Sequence, residues 1–149
     1  MKHDLSVSES IEIKAVPSKI WNVLINPEII KEYLFGTETI TDWKVGSNII
    51  FQGEYEGRQY RDKGIVLENV LNKLISYRYW SAFSGLEDQP ENYSLITYTL
   101  TNSEQHKTIF TWTQKGFANE ESYQHSKSGL RALLEKIKEI VESTRTGTL

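Results

Sequence analysis

Residues 5 to 14 alternate apolar and polar side chains, with Leu5, Val7, Ile11 and Ile13 on one parity and only Glu9 out of step. A repeat of two marks a half-buried strand. Pro17 carries the fixed φ that suits a first helical turn, and Ile20, Trp21, Val23 and Leu24 follow at helical spacing until Asn26-Pro27 interrupts them. A second short helix runs from Pro27 to the neighbourhood of Tyr33. Because the residue before a proline is pushed out of the helical region, the two form a bent pair and not one rod.

From Thr37 to Gly116 the texture becomes strands and turns. Thr37 to Ile40 is rich in β-branched residues, Val45-Gly46-Ser47 turns, and Asn48 to Tyr55 alternates through Ile49, Phe51 and Tyr55. Glu56-Gly57 predicts a tight hairpin, followed by strands over Tyr60 to Leu67 and Leu74 to Trp80. The polar interval Ser84 to Asn92 reads as the longest loop. Tyr93 to Leu100 and Thr108 to Gln114 complete a count of about seven strands, joined by short turns into an antiparallel meander.

Asn119 to Ser143 reads as a long helix, with Glu120 and Glu121 placed to favour the positive end of its dipole. Leu130, Leu133, Leu134, Ile137, Ile140 and Val141 form an apolar stripe along its second half. Tyr123, Ser126 and Gly129 occupy the extension of that stripe, so the inward face turns small and polar. Either volume is left unfilled beneath that end, as in a cavity, or the end is frayed and solvent-facing. Residues 144 to 149 read as a disordered tail.

The 149 residues amount to a single domain, 1–149, large enough to bury a core without disulfides or structural metal. With no cysteine, thiolate catalysis, Cys-ligated zinc and iron–sulfur clusters are excluded, and a reducing cytoplasm is the expected setting. There is no apolar leader and no run long enough to span a bilayer, so neither export nor membrane insertion is expected. The formal charge of −3, without a clustered Lys/Arg face, argues against nucleic acid.

Aromatic residues make up 11% of a chain that is only 38% hydrophobic, so the core is built largely from rings. If Phe51, Tyr77, Tyr79, Tyr98, Phe110 and Trp112 point inward, one face of the sheet is ring-lined, with tyrosine hydroxyls and the Gln114 amide as polar tips. Such a face either packs solid or lines a ligand cavity. Phosphate-binding glycine loops and G-x-S-x-G are absent, and His3, His106 and His125 show no ligand spacing. No metal and no cofactor is expected. Of the three, His125 is positioned to border a cavity opening. Glu54, Glu56, Arg58, Arg61, Asp62 and Lys63 cluster around the hairpin, either as an acid/base group at a cavity mouth or, as the mixture of both signs favours, as charge pairing on a solvated surface.

Strand, bent helix pair, meander and long C-terminal helix, in that order, resembles the helix-grip layout of the START-like (SRPBCC) superfamily. Ala15-Val16-Pro17-Ser18-Lys19-Ile20-Trp21 resembles the opening of its branch named after the activator homologues of the heat-shock ATPase. Asn26-Pro27-Glu28 and Tyr33 continue the match, as do Val45-Gly46-Ser47-Asn48-Ile49-Ile50-Phe51, Lys63-Gly64-Ile65-Val66-Leu67-Glu68, Leu74-Ile75-Ser76-Tyr77 and Phe110-Thr111-Trp112-Thr113-Gln114-Lys115-Gly116-Phe117. The resemblance implies an α+β fold, a curved antiparallel sheet wrapped around the C-terminal helix with a hydrophobic cavity between them. It does not imply one shared reaction.

Three expectations follow. The first is binding of an apolar or amphipathic small molecule in a cavity lined by Tyr33, Phe51, Tyr77, Tyr79, Tyr98, Trp112, Gln114 and Tyr123. The second is a protein-interaction module like the co-chaperones of that branch, with a heat-shock ATPase as partner and a link to stress response. Those proteins carry an extra N-terminal domain for which this chain has no room. The third is a cyclase- or isomerase-type enzyme, which requires a titratable group inside the cavity. A monomer or homodimer is compatible with all three.

Overall fold

The computed structural model describes residues 1–143, so the tail expected at 144–149 lies outside the described residues. Strand β1 (Lys2–Ile13) leads into helices α1 (Pro17–Ile25) and α2 (Pro27–Tyr33). Strands β2 (Glu38–Ile40), β3 (Asn48–Tyr55), β4 (Arg58–Val70), β5 (Leu74–Trp80), β6 (Ser94–Glu104) and β7 (Lys107–Phe117) follow, and helix α3 (Glu120–Glu142) closes the chain. The sheet has seven strands in the order β1-β7-β6-β5-β4-β3-β2, every neighbouring pair antiparallel.

Local chemistry accounts for the boundaries. Pro17 and Pro27 open the two short helices, and the Asn26 side chain accepts from the Glu28 N–H at 3.0 Å, capping α2. Asn119 caps α3 in the same way, accepting from the Ser122 N–H at 2.8 Å. At the β3–β4 turn Glu56 (φ 50°) and Gly57 (φ 78°) are both left-handed, the geometry of the tight hairpin whose twist matches its strands. Gly64 in β4 is forced by contact, because a Cβ there would lie 2.6 Å from the backbone oxygen of Arg78 on β5.

The concave face of the sheet and the inner side of α3 share one apolar core, in which Ile13, Ile49, Ile75, Phe110, Leu134 and Ile137 are fully buried. α3 also reaches the free edge of β1. Arg131 donates to the Ser10 carbonyl at 2.7 Å, Lys138 to the Glu12 carbonyl at 2.8 Å, and the Glu142 carboxylate accepts from the Lys14 N–H at 2.8 Å.

β4 runs three residues past Leu67, and β6 and β7 also exceed their predicted spans, because cross-strand pairing carries strands into sequence that lacks alternation. The stripe of α3 is corrected at one position. Gly129 is exposed, and the inward line passes from Ser126 to Leu130 by a step of four.

Candidate functional site

Between the sheet and the first half of α3 lies a cavity of about 680 Å³, open to solvent at one end. Its inner wall is formed by Phe51, Tyr77, Ile96 and Trp112, all buried, with Leu34 from the end of α2. Tyr79, Ser94 and Gln114 add polar atoms. Ser122, His125 and Ser126 of α3, and Ser81, Phe83 and Ser84 of the β5–β6 connection, reach the opening. The inner wall exists because β3, β5, β6 and β7 each turn alternate residues to the concave face, and Tyr77, Ile96 and Gln114 fall in register across three of them.

Of the residues expected in the cavity wall, Phe51, Tyr77, Tyr79, Trp112 and Gln114 line it. Tyr33, Tyr98 and Tyr123 do not. Tyr33 is buried and donates to the Val23 carbonyl at 3.1 Å, tying α2 to the end of α1. Tyr98 stands behind the wall, its ring tilted against that of Trp112 with centroids 4.6 Å apart. Tyr123 packs on Phe117 at 5.5 Å with Lys127 over its ring, outside the cavity. His125 is exposed and borders the cavity at the position expected for it.

The polar atoms of the wall are mostly paired within the protein. Tyr79 donates its phenolic proton to Asp62 Oδ2 at 2.5 Å, and the Ala82 N–H donates to Asp62 Oδ1 at 2.8 Å. Ser94 donates to the Gly116 carbonyl at 2.8 Å. Gln114 turns its amide nitrogen to that same carbonyl at 3.3 Å and to Ser94 Oγ at 3.4 Å. Since the carbonyl can only accept, the Gln114 amide oxygen faces away from it. Tyr77 and Tyr98 share a hydrogen bond of 2.7 Å between their hydroxyls. Burial raises the pKa of Tyr33, Tyr77, Tyr79 and Tyr98, so all four phenols hold their protons at neutral pH.

Asp62 corrects the surface reading of the hairpin charges. Glu54, Glu56, Arg58, Arg61 and Lys63 are exposed, but Asp62 is only 7% exposed, and its removal from water raises its carboxyl pKa despite the two hydrogen bonds it accepts. Lys63 pairs instead with Asp88 of the β5–β6 connection at 2.7 Å. The signal for Asp62 was present in the sequence, because Tyr60, Asp62, Gly64 and Val66 share one parity of β4. Asp62 stands behind Tyr79 and not in the cavity wall, with both oxygens engaged, so an acid/base reading has an interior carboxyl but no direct contact with the cavity.

Trp43 is a further residue the pattern did not single out. It takes a left-handed φ of 63°, held by its indole N–H on the Ile25 carbonyl (3.0 Å) and by Asn69 donating to its own carbonyl (2.9 Å). Its ring meets Tyr77 edge-on at 6.4 Å, a second ring contact beside that of Tyr98. Among the described residues no group of His, Asp or Glu is arranged to hold a metal ion, and no helix is long and apolar enough to cross a membrane.

A curved seven-stranded antiparallel sheet gripping a long C-terminal helix, with a cavity between them, defines a helix-grip α+β protein of the START-like class. Residues 14–142 match the family described as Activator of Hsp90 ATPase homolog 1-like protein, and the chain belongs to that family. A solution structure from Cytophaga hutchinsonii is 37% identical, covers 95% of this chain and 97% of its own, and superposes with a TM-score of 0.80. The Aha1 dimer from Colwellia psychrerythraea is 19% identical over 93% of this chain and 96% of its own, with a TM-score of 0.71. An HSP90 activator from Plasmodium falciparum is also 19% identical, over 92% and 96%, with a TM-score of 0.71. At that identity the last two speak to the fold alone. No curated protein matches the chain.

Proposed function

We propose that this protein binds a small apolar or amphipathic molecule in the cavity between its sheet and α3. The observation that carries the reading is the cavity itself. Ligand sites commonly measure about 300–1,000 Å³, and a volume of about 680 Å³ with an inner wall of Phe51, Tyr77, Ile96 and Trp112 and a polar opening falls in that range.

The test is a thermal-shift screen of the full chain against lipids, sterols, flavonoids and aromatic acids. A ligand at a hundred times its Kd adds about 2.7 kcal/mol, which for a chain of this size raises Tm by roughly 5–10 °C. At least one such shift, accompanied by the ligand's added mass in the native mass spectrum, is expected. A flat response across the library overturns the reading.

The family match supports a second reading, a protein-interaction module that engages a heat-shock ATPase of the Hsp90 kind. It would use an outer surface, so co-elution with such an ATPase from a chain that gives no ligand shift is the result that favours it.

A further inference from the structure

The cavity wall contains a proton with no acceptor. Tyr77 and Tyr98 are 3% and 5% exposed, and each phenol brings one proton, but the pair makes a single hydrogen bond, of 2.7 Å, between their oxygens. Whichever hydroxyl donates, the other's proton is left over. Among the described residues no other oxygen or nitrogen partner falls within hydrogen-bond reach of either hydroxyl, and the nearby phenol of Tyr33 is already committed to the Val23 carbonyl. A buried hydroxyl without a partner costs about 1–3 kcal/mol, so the arrangement that places the spare proton where something else can accept it is favoured. Only Tyr77 lines the cavity. With Tyr98 as the donor within the pair, the Tyr77 proton is the one left for an acceptor on the cavity side.

The remaining polar atoms of the inner wall have the opposite character. The protons of Tyr79 and Ser94 and the amide hydrogens of Gln114 are directed to Asp62, Gly116 and Ser94, so these groups have no proton left to offer a ligand. No lysine or arginine side chain lines the cavity; the lining groups able to carry positive charge are the Met1 amine and His125, the latter exposed at the opening with Glu121. Beside the inner wall of Phe51, Tyr77, Ile96 and Trp112, an anionic group would be stripped of water with none of these cations next to it.

From this arrangement we infer that the Tyr77 hydroxyl is the anchoring hydrogen-bond donor for a neutral, mainly apolar ligand whose buried end carries an acceptor oxygen, a ketone, ester, ether or alcohol, and that the cavity rejects carboxylates. The inference rests on the ligand-binding reading above and adds to it the class of ligand and the residue that selects it.

Three probes sharing one ring system test it on the full chain: 2-acetylnaphthalene, naphthalene and 2-naphthoate, with Kd values from amide chemical-shift titration. The wild-type chain binds the ketone about three- to tenfold more tightly than naphthalene, as one net hydrogen bond allows, and binds the carboxylate most weakly. Tyr77→Phe erases the ketone's advantage while changing naphthalene affinity less than about twofold, which also reports an intact cavity. Tyr98→Phe leaves the Tyr77 proton in place and preserves the ketone's advantage. A Y77F chain that keeps the full preference for the ketone, or a wild-type chain that prefers 2-naphthoate, overturns the assignment of Tyr77 while leaving ligand binding intact. If none of the three probes binds a wild-type chain that does respond in the thermal-shift library, the inference alone falls; if that library is also flat, the reading beneath it falls with it.

Discussion

Replacing Phe110 by alanine is expected to destabilise the fold by about 3–5 kcal/mol, the usual cost of deleting a fully buried ring. Phe110 is wholly buried on β7, opposite Ile11 of β1 and Leu100 of β6, with its ring meeting Tyr98 at 6.0 Å. It lies below the aromatic layer that forms the cavity wall, so the void it leaves cannot drain to solvent. Against a total stability of about 5–15 kcal/mol, the variant should unfold at a much lower urea concentration with an unchanged slope. A loss below about 1 kcal/mol would mean that the neighbouring rings collapse into the space, contrary to the close packing described here.

Asp62→Ala is expected to cost about 2–4 kcal/mol, because it strands two donors at once, the Tyr79 hydroxyl and the Ala82 N–H. Asp62→Asn should cost far less. Its carbonyl can accept from Ala82, while its amide donates to the Tyr79 oxygen, which then frees the Tyr79 proton. The pair of variants also isolates a pH effect. Burial raises the Asp62 carboxyl above its ordinary pKa of 3.8, so the folded chain holds that proton more tightly than the unfolded one. The stabilisation from protonation is fully present below the ordinary value and is lost as pH rises from there through the folded pKa. Urea midpoints of the wild-type chain measured against Asp62→Asn should therefore fall across that window and then level off. A difference that stays flat, or that grows as pH rises, would place Asp62 in water or beside a cation.

The elements were legible because their signals are local. Pro17, Pro27 and Glu56-Gly57 set backbone angles by their own chemistry, and the apolar period of α3 survives any tertiary context. The cavity wall was legible only in part. Alternation placed Phe51, Tyr77, Tyr79, Trp112 and Gln114 on the concave side, but it assigns a face and not a depth. Tyr98 shares that face and still sits behind the wall, where Trp112 covers it. Tyr33 and Tyr123 are positioned by how α2 and α3 dock, which no period within either helix encodes. Asp62 was masked by its charged neighbours, since a carboxylate on the inward parity of a strand defies the usual preference for charges outside.

The hold that α3 keeps on the free edge of β1 bears on how the molecule behaves when crowded. An outermost strand offers unpaired carbonyls on which another chain can add itself as a further strand, the first step toward aggregation. Here the Ser10 and Glu12 carbonyls already accept from Arg131 and Lys138, so along the second half of β1 an incoming strand would have to displace a guanidinium and an ammonium to complete its ladder. At the opposite margin β2 is only three residues long, too short to template much pairing. The helix that closes the cavity thus also protects an open sheet from its own kind.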